Sequence, residues 1–154
     1  RGLTSLAARR ITKNIQGFAD LLLPPVLERI CSVHQGLVLL AGITGSGKST
    51  TIAAMINHIN ATRACHIVTI EDPIEYIFED NKAFINQREI GIDVDNFHDA
   101  LRFVVRQDPD IILVGEIRDL ETAQIAVQAK LFSGAATAFG APQTTCTTPS
   151  PVST

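Results

Sequence analysis

Residues 42–51 read GITGSGKSTT, and within them Gly42, Gly47, Lys48 and Ser49 fit the pattern G-x-x-x-x-G-K-[ST]. Such a loop suits one kind of chemistry, the cradling of phosphate. Glycines let the backbone curl so that successive N–H groups converge on phosphate oxygens, with no Cβ in the way. Gly42, Thr44, Gly45, Ser46 and Gly47 would form that cradle, and a helix opening near Lys48 adds its positive end. Lys48 is then placed to bridge β- and γ-phosphate oxygens of ATP, and the Ser49 hydroxyl to complete a Mg²⁺ shell of waters and phosphates. Thr50 and Thr51 suit capping or packing. The ordinary alternative is a glycine-rich turn with a chance lysine. At a glycine frequency of about 7% the bare pattern arises in roughly one chain of this size in a few hundred, and its position between an apolar run and an amphipathic stretch makes coincidence rarer still.

Holding a triphosphate is not hydrolysing it. Turnover also needs an acid to hold Mg²⁺ and a group to orient the attacking water. In open α/β sheets such groups stand beyond the carboxyl ends of strands. Two places qualify: EDPIEY, with Glu71, Asp72 and Glu75, and GEIRD, with Glu116, Arg118 and Asp119. Glu116 follows four apolar residues and one glycine, which sets its carboxylate level with the phosphate loop if the strands are neighbours. Asp119 fits better as a helix cap.

Positioning these groups requires alternating strands and helices. GLVLLA ends in the loop, and its apolar run Leu37 to Ala41 reads as a buried strand of the kind parallel sheets use. Ile52, Met55, Ile56 and Ile59 then recur at helical spacing. CHIVTI (65–70) and IILV (111–114) read as further strands. NQREIGIDVD reads as connecting structure. NFHDALRFVVR predicts a helix capped by Asn96, with Phe97, Leu101, Val104 and Val105 inward. Another helix is expected from Asp119 to about Lys130. Near the start, PPVLERICSVH predicts a short helix with Pro25 in its first turn and Val26, Leu27, Ile30 and Val33 on one face. The alternation predicts an α/β layer architecture around a largely parallel sheet.

GITGSGKSTT, TIEDPIEY and DPDIILVGEIRDLETA, in this order and at these intervals, resemble the type II/IV secretion and type IV pilus ATPase superfamily over about residues 9–129. LPPVLERI, HIVTIEDPIEYIF and INQREIG are most similar to its pilus retraction (twitching motility) branch. The resemblance implies a P-loop NTPase with a RecA-like parallel sheet flanked by helices. It implies a hexameric ring with ATP between subunits, hydrolysis driving pilus retraction or the movement of pilin or a secreted substrate. Gly42 to Thr50 become the nucleotide loop, Thr50 included, and Lys48, Glu75 and Glu116 the catalytic set. Glu75 would polarise the water, with Glu71 and Asp72 in support, while Glu116 and Ser49 would hold Mg²⁺, Glu116 through water. The implied setting is cytoplasmic, at the inner membrane through a pilus or secretion platform protein, with no nucleic-acid partner.

The sequence also departs from that pattern. No Asp, Glu, Lys or Arg follows Lys130, and no histidine follows His98, whereas such ATPases continue into another strand and a histidine pair that senses the γ-phosphate. LFSGAATAFGAPQTTCTTPSPVST reads as out of frame or artificially ended, so the C-terminal side is expected to be truncated, a central strand missing, and the chain flexible after about Gly134. The expected divisions are 1–23 as a linker or domain remnant, 24–130 as an incomplete ATPase core, and 131–154 as the uncharged tail. Gln35 stands where the family often has arginine. Arg88, Arg102, Arg106 and Arg118 are candidates for charge stabilisation across a subunit interface, and each is equally an ordinary surface or ion-pairing residue. A nucleotide-binding fragment without turnover, and an assembly rather than a retraction ATPase, are the competing readings.

Composition limits the rest. With 154 residues, 45% hydrophobic and a net charge of −3, the chain can bury a core and offers no electrostatic footprint for nucleic acid. Its apolar runs are too short to span a bilayer. Cys31, Cys65 and Cys146 share no metal spacing and read as reduced thiols. His34, His58, His66 and His98 are scattered and read as surface or helix-end residues.

Overall fold

A computed structural model of the chain describes residues 11, 13–117, 120–133 and 136–141. The expectations placed on 1–10, Arg118, Asp119, Cys146 and the last thirteen positions, 142–154, lie outside the described residues. Among the described residues five strands form one sheet: β1 (Gly36–Ala41), β2 (His66–Glu71), β3 (Phe84–Glu89), β4 (Ile111–Val114) and β5 (Ala136–Ala141). Their order across the sheet is β1-β5-β4-β2-β3, and every pairing is parallel. All carboxyl ends therefore point the same way, which is what gathers the strand-end loops at one edge.

Helices cover both faces. The helix α1 (Val26–Cys31) and the long helix α2 (Lys48–Thr62) lie on one side. There Ile52, Met55, Ile56 and Ile59 pack with Ile67, Ile111 and Leu113, so the helical period read from the sequence is the period buried. On the other side α3 (Phe97–Val104) and α4 (Leu120–Ser133) enclose Val68, Ile70, Ile112 and Val114. Burying each such isoleucine contributes about 2 kcal/mol. Asn96 caps α3 as expected, its Oδ1 accepting from the Asp99 N–H at 2.8 Å. Among the described residues no helix is long and apolar enough to cross a membrane.

Four expectations need correction. Of NQREIGIDVD, read as connecting structure, the first four residues instead complete β3, paired in register with β2 from His66–Phe84 to Glu71–Glu89; their backbone joins a ladder although these side chains are all polar. The apolar strand β1 is not buried on both faces, because it stands at the sheet's edge: Val38 and Leu40 pack towards α1 and α2, while Leu37 and Leu39 are 45% and 58% exposed. The sheet does have a strand between β1 and β4, since β5, drawn from the uncharged segment, pairs with both. Leu27 and Ile30 of α1 pack inward, but Val26 and Val33 are about half exposed, because the six-residue helix ends at Cys31 and does not carry Val33 onto the same face.

Candidate functional site

The phosphate loop leaves β1 and enters α2 through Gly47, whose φ of 88° only glycine adopts without strain. No side chain caps α2, so its first N–H groups stay open to a ligand. Ser46 N–H donates to the Ile43 carbonyl at 3.2 Å and closes the turn. The Lys48 ammonium reaches back over the loop, donating to the Gly42 carbonyl at 2.7 Å and to Ile43 at 3.1 Å. That brings the one lysine of the motif to the mouth of the cradle.

Facing the loop are the tips of β2 and β4. Gly115 lets them close up: a Cβ there would stand 3.3 Å from the Glu71 Cα, and its N–H donates to the Ile70 carbonyl at 2.8 Å. The next residue, Glu116, thereby enters a cleft of about 450 Å³, within the size range of small-molecule sites. Thr44, Gly45, Gly47, Lys48, Ser49 and Thr50 line one wall, and Glu71, Asp72, Glu75, Tyr76 and Glu116 the other. Gly42 and Ser46, also expected in the cradle, do not line the cleft; they face each other, a Cβ on Gly42 standing 2.7 Å from the Ser46 Oγ. Glu116 arrives opposite the loop although β5 separates β4 from β1, so the assumption of neighbouring strands was not needed.

Glu71 differs from its neighbours. It is 8% exposed, the last residue of β2 rather than part of a loop. Burial raises its carboxyl above the ordinary carboxylate range. Hydrogen bonds from the Thr69 hydroxyl, the Gln87 amide and the Glu75 backbone N–H pull the other way, and the Glu75 charge adds to the rise. Its Oε1 accepts from Thr69 at 2.7 Å and from Gln87 at 3.2 Å. A carboxylate so enclosed is better placed to hold backbone than to meet solvent.

Three further residues shape the site without having been singled out from sequence. Tyr76 and Thr50 share a hydroxyl–hydroxyl bond of 3.0 Å across the cleft. Thr50 thus lines the site while tying α2 to the acidic loop, and a hydroxyl with two lone pairs can do both. Gln87 grips the loop at Tyr76 and Phe78. Asn60, 4% exposed on α2, holds its far end at Glu79, Asn81 and Ala83. Tyr76, the chain's one tyrosine, adjoins Glu75; Gln87 and Asn60 carried no sequence signal, being polar residues whose partners lie far along the chain.

The remaining candidates fall elsewhere. Among the described residues no arginine lines the cleft. Arg102 and Arg106 are exposed on and after α3, while Arg88 lies on β3 with its Nε buried and without a hydrogen-bond partner. The histidines take local roles: His58 stacks on Phe18, His66 meets Asn86 and Phe84, and His98 lies beside Asp99. Cys31 is buried, its thiol pushed up to about 11 by desolvation, and Cys31 and Cys65 are both free. No group of three or more His, Cys, Asp or Glu among the described residues could hold a metal ion. The donors that do face the cradle, a serine hydroxyl and carboxylates, fit a hard cation that keeps most of its ligands as water and phosphate.

The family described as "Type II/IV secretion system protein" matches residues 16–135. The "Type IV pilus retractation ATPase PilT" of Pseudomonas aeruginosa is 50% identical over 121 residues, 79% of this chain and 35% of its own length. The "Type II secretion system protein E" of Aeromonas hydrophila is 49% identical over 107 residues, 69% of this chain and 20% of its own. Among solved structures, that of the pilus retraction motor PilT with bound ADP superposes with a TM-score of 0.82 at 49% identity, covering 88% of this chain and 39% of that one. The chain thus spans between about a fifth and two fifths of the length of these relatives.

Proposed function

The chain belongs to the Type II/IV secretion system protein family, and on that premise we propose that it binds ATP with Mg²⁺ and hydrolyses it as the nucleotide site of a pilus or secretion motor. The observation that carries this reading is one cleft lined on one wall by Lys48, Ser49 and the open start of α2, and on the other by Glu71, Glu75 and Glu116. A relative at 49% identity was solved with ADP, which supports a nucleotide as the ligand.

Each residue has a physical task. The α2 N–H groups and Lys48 neutralise phosphate charge, and they do so with fixed dipoles that need not reorganise as charge develops. Ser49 and, through water, Glu116 would hold Mg²⁺, which would supply further neutralisation of phosphate charge. Glu75 accepts a hydrogen bond from the attacking water and orients it. Glu71 and Asp72 support Glu75, the Glu71 carboxylate by accepting from the Glu75 backbone N–H. The cleft has Lys48 as its cationic side chain among the described residues, so additional positive charge for the transition state is expected from a neighbouring subunit of a homo-hexamer. The proposed setting is the cytoplasmic face of the inner membrane, against a platform protein, with pilus retraction as the direction of work and assembly as the alternative.

Two substitutions test the reading. Lys48→Ala should weaken nucleotide affinity by about a hundredfold, from loss of charge-assisted bonds to phosphate, read by titration with a fluorescent ADP analogue. Glu116→Gln should keep nucleotide bound but abolish phosphate release. Equal background release from wild type and Glu116→Gln at matched occupancy would sink turnover in this chain and leave a nucleotide-binding protein that does not hydrolyse.

A further inference from the structure

The segment that carries Glu75 leaves β2 at Glu71 and returns as β3 at Phe84 with no helix between. Its backbone groups must find partners elsewhere or stay in water, and flanking side chains provide them. Gln87 provides most at the centre. Its Oε1 accepts from the Phe78 N–H at 2.9 Å, and its Nε2 donates to the Tyr76 carbonyl at 2.8 Å and to Glu71 Oε1 at 3.2 Å. One amide therefore uses both donor hydrogens and its acceptor on a single short stretch of chain.

Glu75 hangs between the two ends of that arrangement. Its own N–H is held by the Glu71 carboxylate, and the carbonyl of the next residue, Tyr76, is held by Gln87. Glu71 and Gln87 are themselves bonded, and Gln87 stands level with Thr69, a further donor to Glu71, in the β2–β3 register. Glu89, two residues on, accepts from the Ile74 N–H at 3.0 Å. A peptide pinned on both sides of one residue leaves that residue's side chain little room to change direction.

We propose that Gln87 is the positioning residue of the acidic loop, setting through Tyr76, Phe78 and Glu71 where the Glu75 carboxylate stands across the cleft from Lys48. Its effect on turnover rests on the function proposed above; its effect on the loop does not. A residue that merely supported the strand edge would, when replaced, loosen β2 and β3 and weaken nucleotide binding together with turnover. A positioning residue separates the two, because the phosphate loop belongs to β1 and α2, makes no bond to Gln87 itself and meets this segment through the single Thr50–Tyr76 hydroxyl bond.

The test uses the full chain with Gln87→Met, which keeps shape and loses all three bonds, and Gln87→Glu, which keeps the acceptor for Phe78 and loses both donors. Amide exchange at Phe78 should quicken about tenfold in Gln87→Met, the scale of one hydrogen bond, while amides of β2 and β4 keep wild-type rates. Affinity for the fluorescent ADP analogue should change by less than about twofold, while kcat falls by about a hundredfold at nearly constant KM, the scale of a small misplacement. Gln87→Glu should keep Phe78 protection and still lose turnover. Unchanged Phe78 exchange in Gln87→Met, or nucleotide affinity falling in step with kcat, overturns the proposal, as does wild-type turnover in Gln87→Glu. If Gln87→Met does not fold, the turnover and affinity of Gln87→Glu decide. Should the wild-type chain release no phosphate, the proposed function fails while the exchange measurement still decides the role of Gln87.

Discussion

Glu71 shows how one residue's surroundings set its role. Its raised carboxyl follows first from burial, with three hydrogen bonds offsetting part of the cost. Because the folded chain then binds the Glu71 proton more tightly than the unfolded chain does, this group's stabilising contribution is complete below its ordinary value of 4.5 and is lost as pH rises through the raised folded value. Glu71→Gln removes that titration while keeping an acceptor for Thr69 and Gln87. Urea denaturation of the nucleotide-free chain should therefore show the variant gaining stability relative to wild type as pH is raised from about 4.5 towards neutrality. A difference that stays flat, or one that runs the other way, would mean Glu71 ionises without penalty. The sequence made Glu71 visible as one acid of EDPIEY, and made Lys48, Ser49 and Glu116 visible by motif and strand end. It could not separate a buried acid from an open one, since burial depends on Gly115 admitting the neighbouring strand tip.

At the scale of elements, apolar period was a sound guide where a helix or strand faces a core on the side its side chains advertise. The α2 stripe and the runs at β2 and β4 are such cases. It failed at β3, where Gln87 and Glu89 serve the acidic loop rather than a core, and polar side chains hid an ordinary ladder. The acidic loop itself is best seen as a span between two anchored ends: Gln87 and Glu89 hold it near the cleft, and Asn60 of α2 holds it at 79–83. Asn60 donates to the Glu79 carbonyl at 2.8 Å and accepts from the Asn81 and Ala83 N–H groups at 3.1 and 3.3 Å. Asn60→Ala leaves these groups without their partner in a site that is 4% exposed at the side chain, and should cost about 3 kcal/mol in the urea transition. Because Asn60 touches the far end of the loop, nucleotide affinity should be nearly unchanged; a large loss of affinity would show that the α2 start moves with the loop.

The whole molecule is unevenly covered, and that unevenness is testable. The α1–α2 layer reaches across to β1, where Val38 and Leu40 join its core, but the α3–α4 layer is centred on β2 and β4. On that side Leu37 and Leu39 of β1 remain 45% and 58% exposed. The apolar run at 37–41 gave no hint of this, since a strand covered on one face and a strand covered on both can carry the same residues; only the sheet order, with β1 outermost, distinguishes them. Exposed apolar side chains contribute little to folding and much to association. Leu39→Ser should thus alter the unfolding free energy by less than about 0.5 kcal/mol, whereas Ile112→Ala, at a fully buried position, should cost about 3 kcal/mol. Sedimentation at rising concentration should show self-association in the wild type that Leu39→Ser reduces. If Leu39→Ser instead destabilises as strongly as Ile112→Ala, the outer face of β1 is covered in solution, and the edge position of that strand does not describe the folded chain.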